Sequence, residues 1–378
     1  MNKRRILMFF GTRPEAIKML PLYLWLREHE QQFVTKICVT AQHRRMLDQV
    51  LEFFEVVPDY DLDLMQPNQN LHDLTARIIS RSRDVLENYK PDLVLVHGDT
   101  TTSMSTALAA FYYGAKVGHV EAGLRTFNKR APFPEEINRS VTARLADLHF
   151  APTETARRNL LKENVSEDTI FVTGNTVIDA LLIGKKKIDA PQANYVTINR
   201  LQRVIDPNRR LILVTGHRRE NFGDGFVNIC GAITQIAKTL PVQIVYPVHS
   251  NPNVTDIVNR MLGNLSNVML IEPQPYEAFL WLMSRAALIL TDSGGVQEEA
   301  PTLGKPVLVM RDVTERPEAV DAGTVLLVGT NKRAIVDQTT RLLSDENAYA
   351  AMSKRHNPYG DGHACERIAK AIIERFDP

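Results

Sequence analysis

Three carboxylates stand directly behind apolar runs in the first half of the chain. Asp99 follows Leu93–His97, Glu121 follows the short run ending His119-Val120, and Glu135 lies in Pro132-Phe133-Pro134-Glu135-Glu136. Carboxylates that converge raise one another's pKa, which lets one site hold both a proton donor and a proton acceptor. Each also has a structural alternative. Asp99 suits a helix N-cap. Glu135 and Glu136 suit the first turn of a helix whose approach two prolines fix. For the Glu pair alone the structural role is the stronger. Set beside Asp99 and Glu121, the cluster points to acid–base chemistry on one ligand.

A second group of residues suits an anion. Gly11-Thr12-Arg13-Pro14-Glu15-Ala16-Ile17-Lys18 reads as a strand-to-helix turn, with Arg13 and Lys18 adding charge to a helix N-terminus. Gly216-His217-Arg218-Arg219 follows the run Leu211–Thr215, and Tyr246-Pro247-Val248-His249 forms another polar strand end. Thr291-Asp292-Ser293-Gly294-Gly295-Val296-Gln297-Glu298-Glu299 reads as strand, Gly-rich turn and helix. Backbone N–H groups of Ser293 to Gly295 would meet a phosphate there, and Glu299 could accept two ribose hydroxyl protons. A plain strand-to-helix turn is the alternative. The G-x-G-x-x-G fingerprint is missing, and Gly304-Lys305 is followed by Pro306, so neither a dinucleotide nor a Walker site is supported. Asp61-Leu62-Asp63 has a metal-binding form but lies in a polar connector, and it reads as a solvated turn.

These residues need strand ends to carry them. Ile6–Phe10, Ile37–Thr40, Leu93–His97, Leu211–Thr215, Ile244–Val248, Leu288–Thr291 and Val307–Met310 are short and near-continuously apolar. That is the pattern of parallel strands covered on both faces, with helices between them. The alternation breaks over 183–210, where Lys185-Lys186-Lys187 and prolines intervene. At 378 residues, two domains are expected. The expectation is an α/β protein with two doubly wound, Rossmann-like domains facing each other across a cleft. The first covers 1–174 and the second 175–363.

Net charge is +1, which gives no general field for nucleic acid or an acidic membrane. No apolar stretch is long enough to span a bilayer. The apolar run behind Met1-Asn2-Lys3-Arg4-Arg5 stops at Gly11, too soon for a signal peptide. Cys38, Cys230 and Cys365 are an odd, widely spaced set, and a reduced cytoplasmic compartment is expected.

Several motifs together resemble one family. They are Gly11-Thr12-Arg13-Pro14-Glu15, His97-Gly98-Asp99-Thr100-Thr101, His119-Val120-Glu121-Ala122-Gly123-Leu124-Arg125 and Pro134-Glu135-Glu136-Ile137-Asn138-Arg139. Gly216-His217-Arg218-Arg219-Glu220, Asp292 to Glu299, Glu315-Arg316-Pro317-Glu318 and Asn357 to Gly362 complete the set. The chain resembles the non-hydrolysing UDP-N-acetylglucosamine 2-epimerases from end to end.

The resemblance implies a glycosyltransferase-B-like fold, with a C-terminal helix, 364–378, packing back on the first domain, and a homodimer. It implies interconversion of UDP-N-acetylglucosamine and UDP-N-acetylmannosamine through a 2-acetamidoglucal, in the service of cell-surface polysaccharide synthesis. Asp99, Glu121, Glu135 and His217 would be catalytic. Arg13, Lys18, His217, Ser293, Gly294, Gly295 and Arg316 would handle the diphosphate, Gln274 and Phe279 the uracil, and Glu299 the ribose. Some bacterial relatives bind a second UDP-N-acetylglucosamine as an activator. The matching positions are Gln42, Glu136, Arg218 and His249, although the arginine such relatives can carry near Asn68 is absent. A glycosyltransferase of the same fold, or a non-catalytic nucleotide-sugar binding protein, is the alternative.

With no nicotinamide or metal motif, no cofactor is expected. Epimerisation should therefore proceed at full rate without added NAD and in the presence of EDTA. Loss of turnover on stripping a nucleotide or a divalent ion would overturn this expectation.

Overall fold

A computed structural model describes residues 3–41, 44–64 and 69–376. The chain divides into two compact units, residues 1–183 with 360–378, and residues 184–359. The first division falls inside the helix Thr176–Ile188 rather than before it.

The strands of unit 1 are β1 (Arg4–Phe10), β2 (Phe33–Val39), β3 (Tyr60–Asp61), β4 (Leu93–His97), β5 (Lys116–Val120), β6 (Leu148–Ala151) and β7 (Ile170–Val172). They form one parallel sheet in the order β3-β2-β1-β4-β5-β6-β7. Unit 2 holds β8 (Arg210–Thr215), β9 (Val242–Pro247), β10 (Val268–Ile271), β11 (Leu288–Thr291), β12 (Val307–Val309) and β13 (Val325–Leu327). Their order is β10-β9-β8-β11-β12-β13, again parallel throughout.

All seven apolar runs read from the sequence are strands. The central ones are buried on both faces. Residues Ile6 to Phe10, Leu93 to Val96 and Ile212 to Val214 are almost fully enclosed. This is why they alternate so little. In unit 1, Leu7, Phe9, Val94 and Val96 meet Leu86, Ala107 and Ala110 on one face of the sheet. In unit 2, Ile212, Val214, Ile244 and Leu290 pack with Phe226, Ile229 and Ile233 of the helix Asp224–Thr239. No helix among the described residues is long and apolar enough to cross a membrane.

The strand order matters for function. In each sheet the connections reverse direction at one point, β1/β4 in unit 1 and β8/β11 in unit 2. Strands part their loops there, and ligands bind beyond the carboxyl ends. The segments after β1, β4, β8 and β11 are the four that begin Gly11, Gly98, Gly216 and Asp292. The terminal helix Ala364–Phe376 belongs to unit 1 and packs against the helix Arg13–Glu28. The buried carboxylate of Asp179 fixes its start, accepting the N–H groups of Ala364 (3.2 Å) and Cys365 (3.0 Å).

One glycine locks the turn after β5. Gly123 has φ +92°, and a Cβ there would press into the carbonyl of Ala156. Gly123→Ala should lower stability by roughly 3 kcal/mol, combining left-handed strain with overpacking. Chemical denaturation checks this, and a change within about 0.5 kcal/mol, the range of ordinary surface substitutions, would contradict it.

Candidate active site

The turn after β1 is the foundation of the unit 1 site. Glu15 is buried in the first turn of the helix Arg13–Glu28. Its Oε2 accepts the backbone N–H of Gly11 (3.0 Å) and Thr12 (2.8 Å) in a capping box. Its Oε1 accepts the hydroxyls of Thr100 (2.6 Å) and Ser103 (3.3 Å). One carboxylate thus joins the β1 turn to the β4 turn. Thr100, not Asp99, caps the helix Thr101–Tyr113, accepting from Ser103 N at 3.0 Å. The capping alternative for Asp99 therefore falls away, and its side chain is left for other work.

Glu121 follows β5 with φ +62°, a left-handed backbone that a glutamate adopts at a cost. Its side chain is only 9% exposed and forms an ion pair with Lys18 through Oε2. Asn175 Nδ2 donates to the same oxygen at 3.2 Å, and His97 Nε2 stands 3.5 Å from it. Burial alone would push this carboxyl up. The Lys18 ammonium and His97 outweigh it and hold Glu121 well below the usual carboxylate range.

His119, two residues earlier on β5 and fully enclosed, is pulled down to about 3 by burial. It is neutral, and its ring N–H donates to Gly98 O at 2.7 Å. That bond fixes the peptide preceding Asp99.

Asp99 is tied to the helix Glu135–Leu145 twice. Asn138 Nδ2 donates to its backbone O at 2.9 Å, and Arg139 forms an ion pair with its carboxylate. Arg139 also reaches Glu136 at 3.2 Å. Glu135 is at the head of that helix and half-buried, and its side chain makes no hydrogen bond or ion pair with any described residue. The three carboxylates thus sit on elements that are bonded to one another. Glu136 differs. It is 3% exposed, and its carboxylate accepts backbone N–H groups of Thr126 (3.1 Å) and Phe127 (2.8 Å). It anchors the loop behind Arg125.

In unit 2, Asp292 ends β11 fully buried. Its Oδ2 accepts the N–H of His217 (2.9 Å), the N–H of Arg218 (2.9 Å) and Asn221 Nδ2 (3.3 Å). Its Oδ1 lies 3.4 Å from His217 Nδ1. Burial lowers the His217 pKa, Asp292 opposes that, and the Arg218 and His249 charges add to the lowering. The lowering favours the neutral imidazole at pH 7, and a proton on Nδ1 would face Asp292 Oδ1 and leave Nε2 as the acceptor. The His249 ring stacks on it at 5.5 Å.

Ser293 precedes the short helix Gly294–Glu299, and Arg316 lies over Gly294, where a Cβ would meet its guanidinium carbon at 3.3 Å. Arg316 Nε donates to buried Glu298 at 2.8 Å. Glu299 closes that helix, 8% exposed. Gln274 and Phe279 flank the start of the helix Tyr276–Arg285, with Gln274 Nε2 donating to Glu272 O at 2.6 Å.

Lys18 was expected at a diphosphate, and its ammonium rests on Glu121. Arg13 heads the first helix, half-buried. Gln42 lies outside the described residues, as does Asn68. Asp61 is paired with Arg44, which also lies 3.6 Å from Asp63, so the D-x-D segment is the charge-paired, exposed end of the edge strand β3 and not a turn. No group of three His, Cys, Asp or Glu among the described residues is placed to hold a metal. The sequence reading gave no role to His97, Arg139, Asn175 or Asp292. For His97 and Asp292 the strand-end position was the available signal. For Arg139 and Asn175 nothing local marks the contact.

The family model described as UDP-N-acetylglucosamine 2-epimerase matches residues 26–373. The chain is 60% identical over 369 residues to the UDP-N-acetylglucosamine 2-epimerase of Escherichia coli (strain K12), covering 97% of this chain and 98% of that protein. It is 59% identical over 369 residues to the Yersinia pestis protein of the same name, with 97% and 98% covered. Its fold matches the crystal structure of the Neisseria meningitidis UDP-GlcNAc 2-epimerase bound to UDP-GlcNAc with TM-score 0.89 at 51% identity, covering 98% of this chain and 100% of that one. The two parallel-sheet domains are thus of the glycosyltransferase-B-like kind, and the chain belongs to the UDP-N-acetylglucosamine 2-epimerase family.

Proposed function

We propose that the protein interconverts UDP-N-acetylglucosamine and UDP-N-acetylmannosamine by eliminating and re-adding UDP. The observation that carries this reading is Glu121, a buried carboxylate held ionised on a strained backbone, one strand from Asp99 and beside the family's other motifs.

Carbon 2 of the sugar carries a proton with no neighbouring carbonyl, so its removal alone is too difficult. Elimination solves this. A carboxylate takes the proton from carbon 2 while the bond from carbon 1 to the diphosphate oxygen breaks. The electron pair leaves with UDP and a carbon 1–carbon 2 double bond forms. In the reverse step a carboxylic acid protonates carbon 2 on the other face and UDP returns to carbon 1. Asp99, Glu121 and Glu135 serve as the acid and base groups, on opposite faces of the ring. An ionised Glu121 suits the base, and Lys18 keeps it ionised. Glu135, without a protein partner, suits a group that exchanges its proton with solvent.

Departure of UDP puts negative charge on the diphosphate, which positive groups and helix N-termini stabilise. Arg13, Arg316, His217 and the backbone N–H groups of Ser293, Gly294 and Gly295 take this role. His217 Nε2 can accept a proton, and Asp292 would then stabilise the imidazolium. Gln274 and Phe279 meet the uracil and Glu299 the ribose. Gln42, Glu136, Arg218 and His249 mark a second nucleotide-sugar site in this reading. The anchoring of Glu136 to the Thr126–Phe127 loop gives it an indirect part there. We place the enzyme in the cytoplasm as a homodimer that supplies N-acetylmannosamine units to cell-surface polysaccharides.

Incubation with UDP-N-acetylglucosamine in heavy water, followed by NMR, tests the mechanism. Deuterium should appear at carbon 2 of both epimers, with some free UDP and glucal. Asp99→Asn, Glu121→Gln and Glu135→Gln should each slow turnover by about 100-fold or more. Epimerisation without deuterium, or near-normal rates in all three variants, would sink it.

A further inference from the structure

Glu121 Oε2 is surrounded by donors: Lys18 Nζ, Asn175 Nδ2 at 3.2 Å, and His97 Nε2 at 3.5 Å. Oε1 has a different setting. It points toward Gly98, whose added Cβ would meet it at 3.9 Å, on the side of Asp99. The pocket therefore distinguishes the two oxygens and leaves Oε1 as the one able to take a proton.

His97 is the unexplained member of this group. It is 4% exposed, and neither ring nitrogen completes a hydrogen bond with any described residue. A buried polar ring without partners costs stability, and an apolar side chain would fill the end of β4 better. What the ring does have is its Nε2 edge turned to Glu121, close enough that a small shift completes a hydrogen bond.

Resting on the proposed function, we infer that His97 is a positioning residue for the reaction. Its Nε2–H is the third donor on Glu121 Oε2, which keeps that carboxylate ionised and presents Oε1 to carbon 2. At 3.5 Å the contact is slack at rest, and a small shift of either side chain when substrate binds completes the bond. The charged and titratable groups around it come from several elements: Lys18 from the first helix, Glu121 and His119 from β5 and its end, and Asp99 with Arg139 beyond Gly98. His97 and Lys18 both draw the Glu121 pKa down against burial. Loss of His97 therefore raises it. A base that must be ionised then becomes available only at higher pH, so the acid limb of kcat/KM moves up.

The test compares His97→Gln with His97→Asn. The glutamine amide nitrogen reaches the place of Nε2, whereas the asparagine nitrogen stops at the place of Nδ1. The full-length variants are assayed for UDP-N-acetylglucosamine epimerisation across pH. His97→Asn should lose about tenfold or more in kcat and shift its acid limb to higher pH, and His97→Gln should restore the limb and most of the rate. KM should stay within about twofold in both, since uniform binding is untouched. If the ring only fills space, the two amides behave alike and the limb stays in place, which overturns the inference. A wild-type protein that leaves UDP-N-acetylglucosamine unchanged would instead overturn the functional reading beneath it.

Discussion

A carboxylate at 9% exposure remains ionised only if positive charge or donors replace the water it lost, and for Glu121 the ammonium of Lys18 does most of that. Removing one partner of such a pair typically costs about 3–5 kcal/mol, because the other charge is left buried. Much of unit 1 is arranged so that the pair can exist. Lys18 is delivered by a helix whose first turn is locked by Glu15, and Glu15 is in turn bonded to Thr100 and Ser103 beyond β4. Glu121 occupies a left-handed backbone at the end of β5, and Gly123 gives the next turn its sharp exit. The ion pair, the strained turn and the link between the β1 and β4 loops form one unit.

Unit 2 solves a related problem in a different way. Asp292 has no cationic side chain on its Oδ2. Backbone N–H groups of His217 and Arg218 and the amide of Asn221 hold it. A buried carboxylate can be satisfied by donors alone when they are charge-assisted and preorganised. The result is a loop after β8 tied to the end of β11 at His217, Arg218 and Asn221. Unit 1 thus holds its buried carboxylate on a paired cation, and unit 2 holds its own on neutral donors.

The fold was largely legible because parallel strands buried on both faces leave continuous apolar runs. The ones the sequence hid are short or half-exposed. Val268–Ile271 is partly exposed along its length, and Val325–Leu327 is an edge strand of three residues. At the site, strand-end positions revealed Asp99, Glu121, His217 and the Asp292 segment. Which partner each takes was not legible. Lys18 sits 103 positions from Glu121 and Arg139 sits 40 from Asp99, and only the folded sheet brings them together. Glu136 looked like its neighbour Glu135 in sequence. One helical position turns it inward to the Thr126 and Phe127 backbone, while Glu135 stays without a protein partner.

The proposed function divides the labour, with proton chemistry in unit 1 and, Arg13 apart, UDP recognition in unit 2. Calorimetric titration of UDP alone addresses it directly. Glu121→Gln keeps a group that can accept from Lys18 and should bind UDP within about threefold of wild type, a difference under 1 kcal/mol. Arg316→Ala removes a cation beside Gly294 and should weaken UDP by about 10–100-fold, the range for a lost charge-assisted bond. UDP affinity lost as severely in Glu121→Gln as in Arg316→Ala would contradict that division.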